Sequence, residues 1–88
     1  MIARRLTVYG RVQGVFYRDW TVETARALGV AGWVRNRPDG TVEAHLEGSP
    51  DTVERMMAAM HEGPARARID RIESGEAQAE ALNEFERR

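Results

Sequence analysis

Gly10-Arg11-Val12-Gln13-Gly14-Val15-Phe16-Tyr17-Arg18 follows an apolar, strand-like run, Leu6-Thr7-Val8-Tyr9, and precedes a helical pattern from about Arg18 to Leu28. The stretch is therefore a strand-to-helix turn. Its two glycines let the backbone take positive φ and let a ligand approach the amides, while a helix start leaves several N–H groups without internal partners. Such donors, the positive end of the helix dipole and the planar fork of Arg18 together suit phosphate. The pattern alone is also met in turns that only redirect the chain, and Arg18 in isolation would equally suit an ion pair with a carboxylate at the helix start.

Working outward, Leu6 and Val8 alternate with polar residues, as in a half-buried first strand. In the following helix Thr21, Thr24, Ala25 and Leu28 recur at i, i+3, i+4 and i+7 and should face the sheet. Gly29 is placed to close that helix in the left-handed conformation. Val30, Gly32, Val34 and Asn36 then share one face of a second strand. Arg37-Pro38-Asp39-Gly40 is a turn between strands two and three. On strand three Val42, Ala44 and Leu46 point inward, and Glu43, His45 and Glu47 are expected to face solvent. A second helix begins with Ser49 as N-cap, Pro50 at the first helical position and Asp51 near the positive dipole end. Val53, Met56, Met57 and Met60 line its buried face, and Gly63-Pro64 stops it. Ala65 to about Ser74 reads as a fourth strand, with Ile69 and Ile72 breaking the alternation as a bulge would.

The order β-α-β-β-α-β predicts an α+β, ferredoxin-like split βαβ sandwich, with two helices on one face of an antiparallel sheet. Strands one and two then run the same way, so the loop at Gln13–Arg18 and Asn36 emerge at the same end. Parity aims Asn36 toward the loop and Arg18, although an isolated Asn beside Arg-Pro-Asp-Gly also reads as a plain turn residue.

The quoted string, with Gly32-Trp33-Val34-Arg35-Asn36 and Asp39-Gly40-Thr41-Val42-Glu43 downstream, closely resembles the acylphosphatase family. The resemblance runs from about Leu6 to Ile72 and includes Thr21, Ala25, Leu28-Gly29, Gly48, Gly63-Pro64 and Ala67-x-Ile69-x-x-Ile72. It implies hydrolysis of the mixed anhydride between a carboxylic acid and phosphate, with no metal, no cofactor and no covalent intermediate. The family's essential arginine maps onto Arg18 and its essential asparagine onto Asn36. Phosphate binding falls to Gln13, Gly14, Val15, Phe16, Tyr17 and Arg18. Tyr17 departs from the more usual phenylalanine, so its hydroxyl needs a partner or water. The carboxyl end is a second departure. Residues 76–84 have helical propensity, whereas the resemblance implies a loop and then a short fifth edge strand near Phe85; the loop and strand are expected.

Composition bounds the alternatives. At 88 residues the chain suits one small domain spanning 1–88. It has no cysteine, which removes disulfides and a thiol nucleophile, and every basic residue is arginine, which removes lysine chemistry. Thirteen basic and fourteen acidic residues are mixed along the chain, arguing against a nucleic-acid or membrane footprint. No leader-like or long apolar run is seen, so a soluble, cytoplasmic monomer acting on a small acyl phosphate is expected. His45 and His61 lack the spaced third ligand of a metal site. A non-catalytic phosphate or carbamoyl-phosphate module, of the kind found inside hydrogenase-maturation proteins, is the alternative; the lack of an extra domain weighs against it. An RNA-recognition domain shares the element order but needs aromatics on the exposed face of strands one and three.

Overall fold

A computed structural model describes residues 1–88. Alternation along Ile2–Arg11 gives the first strand, β1, and the helical spacing gives α1, Tyr17–Leu28. The remaining elements are β2 (Ala31–Asn36), β3 (Val42–Gly48), α2 (Pro50–Glu62), β4 (Arg68–Glu76) and β5 (Phe85–Arg87). Both helices cover one face of a five-stranded sheet of order β4-β1-β3-β2-β5. The first four strands pair antiparallel, but β5 runs parallel to β2, so the sheet is mixed rather than purely antiparallel.

The local signals act as the residue chemistry requires. Gly29 closes α1 at φ 76° and ψ 28°, returning its N–H to the last turn. Ser49 Oγ accepts from the Thr52 amide at 3.2 Å and Pro50 opens α2. Asp39 Oδ1 accepts from the Thr41 amide at 3.0 Å and from its hydroxyl at 2.6 Å, fixing the hairpin turn. The Thr41 hydroxyl and amide hold the Asp39 carboxyl below the ordinary carboxylate range. The irregularity expected near Ile69 is a bulge: Tyr9 faces Arg71 and Gly10 faces Ile69, leaving Asp70 unmatched.

The core lies between sheet and helices. Leu6, Val8, Val34, Val42, Ala44 and Leu46 meet Ala25, Val53, Met56 and Met60, all essentially inaccessible. Each of the larger side chains contributes about 1.5–3 kcal/mol by leaving water. Met57 is only partly buried, at the edge of this cluster. Tyr17 is buried, and its hydroxyl donates to the Met60 carbonyl at 2.9 Å, so the partner it needs comes from α2. Burial pushes its phenol well above the ordinary tyrosine value.

The opposite face differs from expectation. Glu43, His45 and Glu47 are buried instead of facing solvent. Alternation correctly puts them on the helix-free face, but that face is not open, because residues 77–84 cross it as an irregular strap before β5 begins. Trp33 shares the face, stacking on His45 with ring centroids 5.8 Å apart and flanked by Arg5, Arg35 and Arg88. Arg35 Nη2 lies 2.6 Å from Glu43 Oε1.

Candidate active site

The turn after β1 carries two residues in the left-handed region, Gly14 at φ 74° and Phe16 at φ 63°. Gly14 takes this conformation freely, whereas Phe16 does so at a cost of about 1 kcal/mol or more. Phe16 is also the N-cap of α1 and supplies no side-chain cap. None of the amides from Gln13 to Asp19 donates to a backbone carbonyl; the first such bond of the helix runs from the Trp20 amide to the Phe16 carbonyl. A helix start left uncapped in this way offers its amides to a ligand or to water.

Beside it lies a cleft of about 370 Å³ lined by Val12, Gly14, Phe16, Tyr17, Arg18, Asp19, Asn36 and Arg87. Arg18 and Asn36 thus come together, as strand parity requires. Asn36 Oδ1 is buried and has no hydrogen-bond partner in the chain. A buried amide oxygen is normally paired, so an orphan in a cleft marks a place for a water or substrate atom.

Four of the six residues expected to bind phosphate line this cleft: Gly14, Phe16, Tyr17 and Arg18. Gln13 and Val15 do not. The Gln13 side-chain amide donates to the Arg37 and Thr41 carbonyls, each at 2.8 Å, and so ties the turn to the hairpin beside Asn36. The Val15 side chain is buried in the core, anchoring the turn from below.

Asp19 and Arg87 were not anticipated. Arg87 Nη1 donates to Asp19 Oδ1 at 2.9 Å across the mouth of the cleft. Arg18 Nη1 donates to the Arg88 carbonyl at 2.9 Å, so the segment after β5 holds the guanidinium on one side. The available signal was the basic pair Arg87-Arg88 following an apolar Phe85 in a segment otherwise without periodicity. Neither histidine is in the cleft: His45 is sealed on the far face of the sheet and His61 sits in the last turn of α2. No three His, Cys, Asp or Glu side chains gather as a metal site would need.

The acylphosphatase family model matches residues 4–87. The chain belongs to the acylphosphatase family. It is 51% identical over 87 residues to an acylphosphatase of Acidovorax sp., covering 99% of this chain and 90% of that one. Among solved structures it is similar to acylphosphatase from Bacillus subtilis, with TM-score 0.94 and 33% identity, covering 98% of this chain and 97% of that chain. It also resembles part of T. kodakarensis HypF, with TM-score 0.84 and 32% identity, covering 99% of this chain but 12% of that one. The acylphosphatase match reaches the carboxyl strand, so β5 and the Arg87–Asp19 pair lie inside the family domain. No helix is long and apolar enough to cross a membrane.

Proposed function

We propose that the cleft hydrolyses acyl phosphates to carboxylate and inorganic phosphate, with Arg18 and the turn amides binding the phosphoryl group and Asn36 orienting the attacking water. The observation that carries the reading is the meeting, in one cleft, of an uncapped helix start, a guanidinium and a buried amide oxygen with no partner. An acyl phosphate is already activated, because carboxylate leaves readily. The protein needs chiefly to hold the phosphoryl group and aim one water in line with the leaving oxygen.

Asn36 both accepts from and donates to water but is no base. The carboxylate nearest at hand, Asp19, is occupied by Arg87. The proton lost by water therefore goes to a phosphoryl oxygen of the substrate. The water oxygen forms the new bond to phosphorus, the P–O bond to the acyl group breaks, and the carboxylate departs with its electron pair. Because no histidine enters the cycle, kcat should vary little between about pH 5 and 8; a limb with a pKa near 6.5 would contradict this. The acyl portion leaves past Phe16, the exposed apolar wall of the cleft.

Hydrolysis of benzoyl phosphate, with chelator present, tests the reading in wild type, Arg18→Ala and Asn36→Ala. Chelator-insensitive turnover lost in both variants is expected. Phosphate binding without turnover in folded wild type would instead favour a binding module, the reading suggested by the likeness to part of HypF.

A further inference from the structure

The Glu47 side chain is completely inaccessible, yet no guanidinium touches it. A buried carboxylate costs several kcal/mol unless its oxygens are well supplied with donors. Those donors are three. The Glu80 amide and the His45 Nε2 both reach Oε2, the latter at 2.7 Å, and the Leu82 amide reaches Oε1 at 3.2 Å. Arg5 Nε donates to His45 Nδ1 at 3.2 Å, which leaves Nε2 as the protonated nitrogen facing Glu47. Arg5 also reaches Glu80 and Glu43, and Glu43 is shared with Arg35, so the other charges on this face are matched among themselves.

Two of the three donors belong to the strap, which is also tied by the Ala77 amide on the Ala3 carbonyl at 3.1 Å and by Arg5 and Trp33 on its Glu80 carboxylate. Its sequence, Ala77-Gln78-Ala79-Glu80-Ala81-Leu82-Asn83-Glu84, offers few side chains to pack, and Ala81 sits in the left-handed region at φ 56°. The strap leads directly into β5. The Gly32 amide donates to the Glu84 carbonyl at 2.9 Å, and the Arg88 amide donates to the Val34 carbonyl at 2.7 Å. That seating puts the Arg88 carbonyl on Arg18 and Arg87 on Asp19. The strand covers only Phe85–Arg87 and is anchored by the buried Phe85 ring and by Arg26, which donates to the Phe85 carbonyl at 3.2 Å, so the strap that precedes it adds to a short set of ties.

We infer that Glu47 is a positioning residue for catalysis: from the far side of the sheet its carboxylate fastens the 77–84 strap, the strap fixes β5, and β5 holds the Arg18 guanidinium in its phosphate-binding pose. The inference rests on the proposed role of Arg18 in binding the phosphoryl group. Nothing in it places Glu47 near the substrate. Its effect travels through the backbone of the strap and strand, a connected series of hydrogen bonds rather than a long-range field.

Glu47→Gln keeps the shape but replaces one acceptor oxygen with an NH₂ that faces strap donors. In protein shown to be folded by circular dichroism, KM for benzoyl phosphate and Ki for inorganic phosphate should each rise about tenfold, with kcat within about twofold of wild type. Amide exchange should quicken at Gly32 and Arg88, whose carbonyl partners tie the strap and β5 to β2, and not at the β1–β3 pair Leu6 and Ala44. A chain shortened to end at Glu86 lacks the Arg88 carbonyl and should show the same rise in KM, and adding Glu47→Gln to it should raise KM no further. Unchanged KM in folded Glu47→Gln, or effects that simply multiply in the doubly altered chain, would overturn the inference. Arg18→Ala in the same assay separates the two levels: if it retains full activity, the reading of the site itself fails. If it is inactive while Glu47→Gln behaves as wild type, only the role of Glu47 fails.

Discussion

The cleft and the strap-covered face handle polar groups in opposite ways. Under the strap, Glu47 has three donors, His45 uses both ring nitrogens, Glu43 meets two guanidiniums and the Trp33 Nε1–H reaches Glu80 at 3.2 Å. At the cleft, Asn36 Oδ1 has no partner, Gly14 and the residues from Phe16 to Asp19 have amides that no backbone carbonyl accepts, and Phe16 is strained and exposed. Satisfied burial is the mark of a region selected to hold together. Unsatisfied groups gathered in a concave place are the mark of one selected to hold something else. Both regions carry charged and amide side chains in the sequence; only their partners separate them.

The contrast is sharpest at Arg18. Arg18→Ala should lower kcat/KM for benzoyl phosphate by about a thousandfold, as loss of a principal charge-stabilising donor does, while shifting the urea midpoint little. A variant that unfolds but remains active when folded would reverse the assignment of the two regions. Glu47→Ala should act chiefly on the fold, destabilising it by about 3 kcal/mol by leaving buried donors without an acceptor, beside the rise in KM expected through β5. Equilibrium urea unfolding measures this, and a change under about 0.5 kcal/mol would mean that the strap carries no burial energy. Asn36→Ala should cost about a hundredfold in kcat with stability unchanged or slightly raised, since its buried oxygen has no partner to lose.

Acid should weaken the strap. Burial by itself would raise the Glu47 carboxyl, but the amides of Glu80 and Leu82 and the His45 N–H outweigh it and hold it below the ordinary range. A group with a depressed native pKa contributes stability that is fully present above its unfolded value of about 4.3 and is lost as pH falls through the native value. The urea midpoint should therefore be flat above about pH 5 and decline below about pH 4, and Glu47→Gln should flatten part of the decline. An equally steep decline in that variant would assign it to other carboxylates.

The smallest effect belongs to the strained rim. Phe16→Gly keeps the left-handed backbone without its strain and removes the ring. The preference for benzoyl over acetyl phosphate, read as the ratio of kcat/KM values, should fall about fivefold. An unchanged ratio would exclude the ring from contact with the acyl group.

What is legible in the sequence follows from how local each signal is. The hairpin turn, the Gly29 and Ser49 caps and the bulge near Ile69 are encoded within a few residues, and strand parity alone brings Asn36 to the Arg18 cleft. The fate of Glu47 depends on a segment more than thirty residues later that has no periodicity of its own. Alternation identifies a face but not what covers it. For the same reason Asp19 reads as an ordinary first-turn acid until β5 brings Arg87 to it. The Gln13 side chain serves the hairpin, a partnership that its place in the turn does not reveal.

The most direct test of the central claim is hydrolysis of benzoyl phosphate in water enriched in oxygen-18, followed by mass analysis of both products. A cleft that holds the phosphoryl group and aims water at phosphorus should place the label in inorganic phosphate and leave benzoate unlabelled. Label in benzoate would mean attack at the acyl carbon, and would contradict phosphoryl transfer to water by Arg18, the turn amides and Asn36.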